Sequence, residues 1–171
     1  MLIKSAQKKI YRILASLRWN AIRPWLNTQN KTLLDVGGSD FSVYGPLAQK
    51  FKITTCDIKP KKGILKQDVQ KLTFKDNSFD MVTCFEVLEH IPDPVKAMKE
   101  LYRVTKNRLL ISVPNDPWFT FTRFGIWEKE HFWTIKPEVI KLHLGMPIYE
   151  KKIVFSRYYF AVFEKSKKTR Q

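Results

Sequence analysis

Hydrophobic and polar positions along the chain follow two rhythms. Near the start, Ile10, Ile13, Leu14, Leu17, Ala21 and Ile22 recur at three- and four-residue intervals, the spacing that gathers apolar groups on one helix face. An amphipathic helix with a basic polar face is expected over residues 5–26. Pro24 disturbs it near its end because proline lacks a backbone donor, and residues 27–30 read as a polar loop. The rhythm then changes. Residues 32–36 form a short, nearly continuous apolar run that stops at Gly37-Gly38-Ser39, as a buried strand stops at a tight turn. A helix is expected over 43–50, a second strand over 51–57, a short third over 64–69 and a fourth over 79–85. A helix over 94–105 carries Val95, Met98, Leu101, Tyr102 and Val104, and a fifth strand over 108–113 is stopped by Pro114.

Strands that alternate with helices and read as apolar runs predict a parallel sheet covered on both faces. The expected fold class is α/β, a single doubly wound, mostly parallel sheet. Residues 115–134 break the alternation, with Trp118, Phe119, Phe121, Phe124, Trp127, Phe132 and Trp133 in no strand or helix period. A helix over 137–144, ended by Gly145, leads into two closing strands over 148–155 and 158–164.

Composition narrows the class. The 171 residues, 44% of them apolar, suffice for one sizeable core and not two. No apolar run approaches the roughly eighteen residues of a membrane span, residues 1–10 alternate lysine with apolar groups unlike a signal peptide, and two cysteines are too few for a disulfide scaffold. A soluble, cytoplasmic protein is expected. If the second and fourth strands flank the first, Cys56 and Cys84 lie two strand spacings of about 4.8 Å apart, beyond disulfide reach, so both should be free thiols. His90, His131 and His143 are scattered, and no cluster has metal-ligand spacing.

Charge adds a division of labour. The net charge is +15, from 31 basic and 16 acidic residues. Residues 1–34 hold seven basic residues and no acidic one, and residues 151–171 hold seven basic residues and only Glu164. The middle is close to neutral, so the positive field belongs to the ends. Such ends suit an anionic membrane surface, making the protein peripheral there, or the phosphates of a nucleic acid.

Candidate chemistry sits in the middle. In open α/β sheets ligands bind beyond the carboxyl ends of the strands. Gly37-Gly38 after the first strand allows close backbone approach. Asp57, about twenty residues on, stands where an acid accepts hydrogen bonds from ribose hydroxyls. Asp68, after the third strand, is placed to meet an exocyclic amine of a base.

These segments, together with Leu33-Leu-Asp-Val-Gly-Gly-Ser, Gln67-Asp-Val, Phe79-Asp-Met-Val-Thr-Cys-Phe-Glu-Val-Leu-Glu-His-Ile and Ile111-Ser-Val-Pro-Asn, resemble the class I S-adenosylmethionine-dependent methyltransferases. The resemblance is to the type 11 group that includes quinone-biosynthesis enzymes, and it runs in order over about 32–145. It implies the strand order 3-2-1-4-5-7-6 with an antiparallel C-terminal hairpin. Together with the helical start and the charged ends, it divides one expected domain into a basic N-terminal helix (1–31), a cofactor-binding half (32–114), an aromatic lid and helix (115–145), closing strands (146–164) and a basic tail (165–171).

By the same resemblance, Asp35, Gly37, Gly38 and Ser39 would contact the amino-acid part of S-adenosyl-L-methionine. Ser39 stands where the group usually has a second glycine. Asp57 would hold the ribose with Ile58 on the adenine, Asp68 and Val69 would meet the adenine edge, and Phe85 would lie along the cofactor. On the acceptor side, Glu86, Trp127 and Trp133 are the substrate candidates and His131 the candidate base, while His90 is read as holding the loop after the fourth strand. The implied reaction is methyl transfer to a small or lipid-like acceptor. The alternatives are methylation of a nucleic acid such as RNA, recruited by the basic ends, and a non-catalytic basic binding protein of the same fold.

Overall fold

A computed structural model of the chain describes residues 20–26, 32–38, 51–115, 132–153 and 158–165. Seven strands build one sheet: β1 (Thr32–Val36), β2 (Lys52–Asp57), β3 (Leu65–Lys66), β4 (Phe79–Phe85), β5 (Thr105–Pro114), β6 (Tyr149–Ile153) and β7 (Tyr158–Glu164). Their order is β3-β2-β1-β4-β5-β7-β6, as expected. The first five run parallel, and β7 is antiparallel to both β5 and β6. Two described helices, α1 (Pro94–Val104) and α2 (Pro137–Leu144), pack on one face.

Alternation along each strand divides the core in two. Leu34, Val82, Leu109 and Ile111 face α1 and α2, meeting Met98, Leu101 and Ile140. Leu33, Met81, Leu110, Phe160 and Val162 face the other way and meet Ile22 and Leu26. That second contact shows what Pro24 does: residues 20–22 are helical, and Arg23–Trp25 tighten into a 3-10 turn. The turn sets the Trp25 ring 4.5 Å from that of Tyr149.

Helix α1 begins at Pro94, with the Asp93 side chain accepting from Lys96 N at 2.9 Å, a cap that satisfies one of the free donors of a first turn. It passes into β5 without a loop. The buried Thr105 hydroxyl donates to Leu101 O at 2.7 Å, and Thr105 already pairs with Phe79, so β5 starts three residues before its apolar run. Lys165 Nζ closes this corner by donating to Tyr102 O and Thr105 O, both at 2.9 Å.

At the amino edge of the sheet, β1 and β4 are latched. Thr32 gives both its N–H (3.1 Å) and its hydroxyl (2.8 Å) to Asp80 Oδ2, and that hydroxyl accepts from Asp80 N at 2.9 Å. At the other edge, Val36 pairs with Cys56 on one side and Cys84 on the other. Both thiols are buried and free, as the strand-spacing argument requires. Strand β3 is shorter than expected, because soon after Lys66 the chain enters the Asp68–Lys71 turn, where Lys71 N donates to Asp68 O at 2.9 Å. The expected helix over 43–50, most of the N-terminal helix, the lid aromatics before Phe132 and the tail beyond Lys165 lie outside the described residues. Among the described residues no helix is long and apolar enough to cross a membrane.

Candidate active site

The carboxyl ends of β1, β2 and β4 open onto a cleft of about 650 Å³, within the size range of sites for small molecules and cofactors. It lies where the chain leaves β1 toward β2 on one side and returns to β4 on the other, the switch point at which such sheets bind ligands. Val36 and Gly37 form its floor, with Asp57, Ile58 and Lys59 beyond β2 and Gln67 to Gln70 beyond β3. Glu86, Val87, His90, Ile91 and Pro92 follow β4, and Phe132 completes the lining.

The floor requires glycine. Gly37 has φ +76°, a conformation that costs other residues free energy, and its N–H donates to Cys56 O at 2.8 Å. A Cβ here would run into Val87 Cγ2, part of the cleft wall, and a Cβ on Gly38 would run into the Asp35 carboxylate. Asp35 therefore stands behind the turn, buried, with the Thr83 hydroxyl donating to its Oδ1 at 2.9 Å.

Each acid in the cleft is held by its own neighbourhood. Asp57 Oδ1 accepts from Lys59 N at 2.7 Å. Asp68 Oδ1 accepts from Gln70 N at 2.8 Å and from Gln70 Nε2 at 3.1 Å, while Gln70 Oε1 accepts from Asp93 N at 3.1 Å. Glu86 has φ +57°; its N–H donates to Ser112 O at 3.1 Å, and Ser112 Oγ donates to its Oε1 at 2.7 Å. The turn Leu88–His90 buries Glu89, whose carbonyl accepts from Phe132 N (2.9 Å) and Trp133 N (3.3 Å). Trp133 Nε1 donates to Ile91 O at 2.9 Å.

The field around the floor is negative. Burial pushes the Cys56 thiol up to about 12, with Asp35 and Asp57 adding to the shift. Burial likewise raises Cys84, reinforced by Glu89, Asp35, Cys56 and Glu86. The same carboxylates favour a cation in the cleft, since in a low-dielectric setting such charges act strongly.

Of the residues expected at the site, Gly37, Asp57, Ile58, Asp68, Val69 and Glu86 converge on this cleft. Asp35 and Gly38 support it from behind. Phe85, at the end of β4 beside Glu86, packs toward the second cluster, its ring centroid 6.4 Å from that of Phe160. Trp133 pins the segment beside the cleft by its indole N–H. Ser39, Trp127 and His131 lie outside the described residues. Gln70 and Val87 were not singled out by the sequence, while Lys59 was read as solvated charge beside the site, Gln67 stood in the Gln67-Asp-Val run of the family resemblance, and Phe132 fell in the expected lid. The two glutamines had a signal, since they bracket Asp68 in the turn. His90, read as a loop residue, also lines the cleft.

These residues fit an adenosine-bearing ligand, with a glycine floor that a Cβ would close, an acid beyond β2 for a ribose, and an acid beyond β3 with the apolar Ile58 and Val69 for a base. Residues 34–111 match the family described as a methyltransferase domain. The chain carries the fold of solved S-adenosylmethionine-dependent methyltransferases, and over 78 of its 171 residues it is similar to a methyltransferase domain. The match agrees with the resemblance to the type 11 group and with S-adenosyl-L-methionine as the expected cofactor.

Among its relatives, a tRNA U34 carboxymethyltransferase of Nautilia profundicola is 30% identical over 102 residues, covering 50% of this chain and 34% of that protein. A demethylmenaquinone methyltransferase of Lactiplantibacillus plantarum is 35% identical over 72 residues, covering 42% and 30%. The chain thus spans about a third of the length of these relatives. Among solved structures, a magnesium protoporphyrin IX methyltransferase of Synechocystis with bound S-adenosylhomocysteine superposes with a TM-score of 0.65 at 18% identity, over 94% of this chain and 84% of that one. That likeness is one of fold.

Proposed function

We propose that the protein transfers a methyl group from S-adenosyl-L-methionine to a small or lipid-like acceptor. The observation that carries this reading is the convergence of Gly37, Asp57 and Asp68 on one cleft at the switch point of the sheet. The quinone-pathway relative supports the acceptor class. When bound, the cofactor supplies an electrophilic methyl group on a sulfonium.

The chain's own residues do the rest by holding and orienting. Asp57 accepts from ribose hydroxyls with the oxygen that Lys59 N leaves available. Asp68 accepts from the exocyclic amine of the base, and Ile58 and Val69 cover its faces. Glu86, fixed by Ser112, would hold negative charge in the cleft and so favour a cationic cofactor over its neutral product. Reaction then depends mainly on alignment and exclusion of water.

Titration calorimetry with S-adenosylhomocysteine tests the site. Asp57→Ala should lose at least about tenfold in affinity, the equivalent of about 1.4 kcal/mol; wild-type affinity in that variant would remove the assignment. A second reading, methylation of RNA, is favoured by the tRNA-modifying relative, and stimulation of cofactor turnover by RNA alone would select it.

A further inference from the structure

The eight residues from Lys59 to Lys66 contain four lysines, Lys59, Lys61, Lys62 and Lys66, and no acid. All four are exposed, and none forms an ion pair with a described carboxylate. Lys59 lines the cleft, Lys66 pairs in register with Asp57, which also lines it, and Lys61 and Lys62 lie on the short connection between them. Two aliphatic side chains stand among them, Ile58 at 54% and Leu65 at 48% exposure. Phe132, which lines the same cleft, and Trp133 next to it are exposed at 65% and 50%. Apolar groups of this size left in water around an opening mark a surface that meets something.

We propose that this rim docks on an anionic lipid surface, with the cleft opening toward the bilayer. The inference rests on the methyltransferase reading only for what enters the cleft, not for the docking itself. Charge complementarity selects the occupant. A chain of net charge +15 repels a second copy of itself, whereas lysines near an anionic leaflet each strengthen partitioning about fivefold. The chemistry of the apolar groups agrees. Ile58 and Leu65 stand among the lysines with no ring beside them, the Trp133 indole N–H is bound to Ile91 O, and aliphatic side chains, lysine stems and interfacial aromatic rings together are the mixture that settles at the headgroup boundary. An acceptor with an apolar tail would then reach the cleft without crossing water.

Co-sedimentation of the full chain with vesicles tests this, using phosphatidylcholine alone and phosphatidylcholine with roughly one-third phosphatidylglycerol. The wild type should bind the anionic vesicles and not the neutral ones. Lys61→Glu/Lys62→Glu/Lys66→Glu should weaken that binding by more than about tenfold. The control Lys75→Glu/Lys96→Glu/Lys99→Glu changes net charge equally at exposed positions away from the rim and should weaken it far less. Leu65→Ser should weaken binding with no change of charge. Equal losses in the two triple variants would overturn the proposal in favour of diffuse attraction. A wild type that ignores anionic vesicles, or a rim variant that loses RNA binding instead, would overturn it too. S-adenosylhomocysteine affinity, measured on the same variants, should stay within about twofold of wild type. If wild type lacks that affinity, the methyltransferase reading fails while the docking result stands.

Discussion

Ser112 holds Glu86 twice, accepting its N–H with the carbonyl at 3.1 Å and giving its own hydroxyl to Oε1 at 2.7 Å. The grip fixes a carboxylate whose backbone is in a left-handed conformation at φ +57°. Glu86→Gly relieves that backbone cost, about 1 kcal/mol, and loses a hydrogen bond of about the same size. Thermal unfolding should therefore change little. Affinity for S-adenosylmethionine should fall more than affinity for S-adenosylhomocysteine, which lacks the positive sulfur, and calorimetry with both ligands reads the difference.

Two glycines with the same backbone hand separate wall from backbone. Gly63→Ala meets open space at φ +85° and should cost about 1 kcal/mol, leaving ligand affinity unchanged. Gly37→Ala adds a collision with Val87; it should cost about 2–4 kcal/mol and abolish S-adenosylhomocysteine binding. Denaturant unfolding and calorimetry on the pair check both statements.

Gln70 is a positioning residue for Asp68. With its Oε1 facing Asp93 N, its amide must present Nε2 to the carboxylate, so Asp68 is aimed by the same side chain that touches the α1 cap. Gln70→Ala should narrow the preference for S-adenosylhomocysteine over the inosine analogue by about tenfold, a hydrogen bond to a charged group being worth about 1.5–3 kcal/mol. A purely structural role would weaken both ligands alike.

Acid should destabilise the protein through three carboxylates. Burial alone would raise Asp80, but the Thr32 hydroxyl and N–H and then Lys106 outweigh it and hold it below the ordinary range. The Arg103 hydrogen bond lowers Glu100, and Lys141 and Tyr159 lower Glu150. In each case the unfolded chain takes up the proton first. Their stabilisation is therefore complete above the ordinary carboxylate range, about pH 4, and is lost as pH falls through the lower folded values. Thr32→Val should cost about 2 kcal/mol at neutral pH and flatten this acid limb in denaturant titrations.

Strand positions and the chain's turning points were legible because parallel strands buried on both faces leave apolar runs, the strand order followed from the family resemblance, and Pro137 with Gly145 bracketed α2 to the residue. The start of β5 was not, because Thr105 and Asn107 look like loop residues until α1, β4 and Lys165 supply their partners. In the cleft, Asp57 and Asp68 were legible from strand ends. The side on which Phe85 packs was not legible, because the apolar run of β4 hides which way each residue faces. Gln70 escaped notice because its role depends on Asp93, twenty-three positions away, a relation that exists only in three dimensions.

The two thiols flanking Val36 make the sheet beneath the cleft chemically audible. Buried and held in their protonated form, Cys56 and Cys84 react with a thiol reagent only when a strand lifts away. Their labelling rates thus time the separation of β2 and β4 from β1 strand by strand, and a ligand resting on Gly37 and Asp57 would be heard as a slower clock at Cys56.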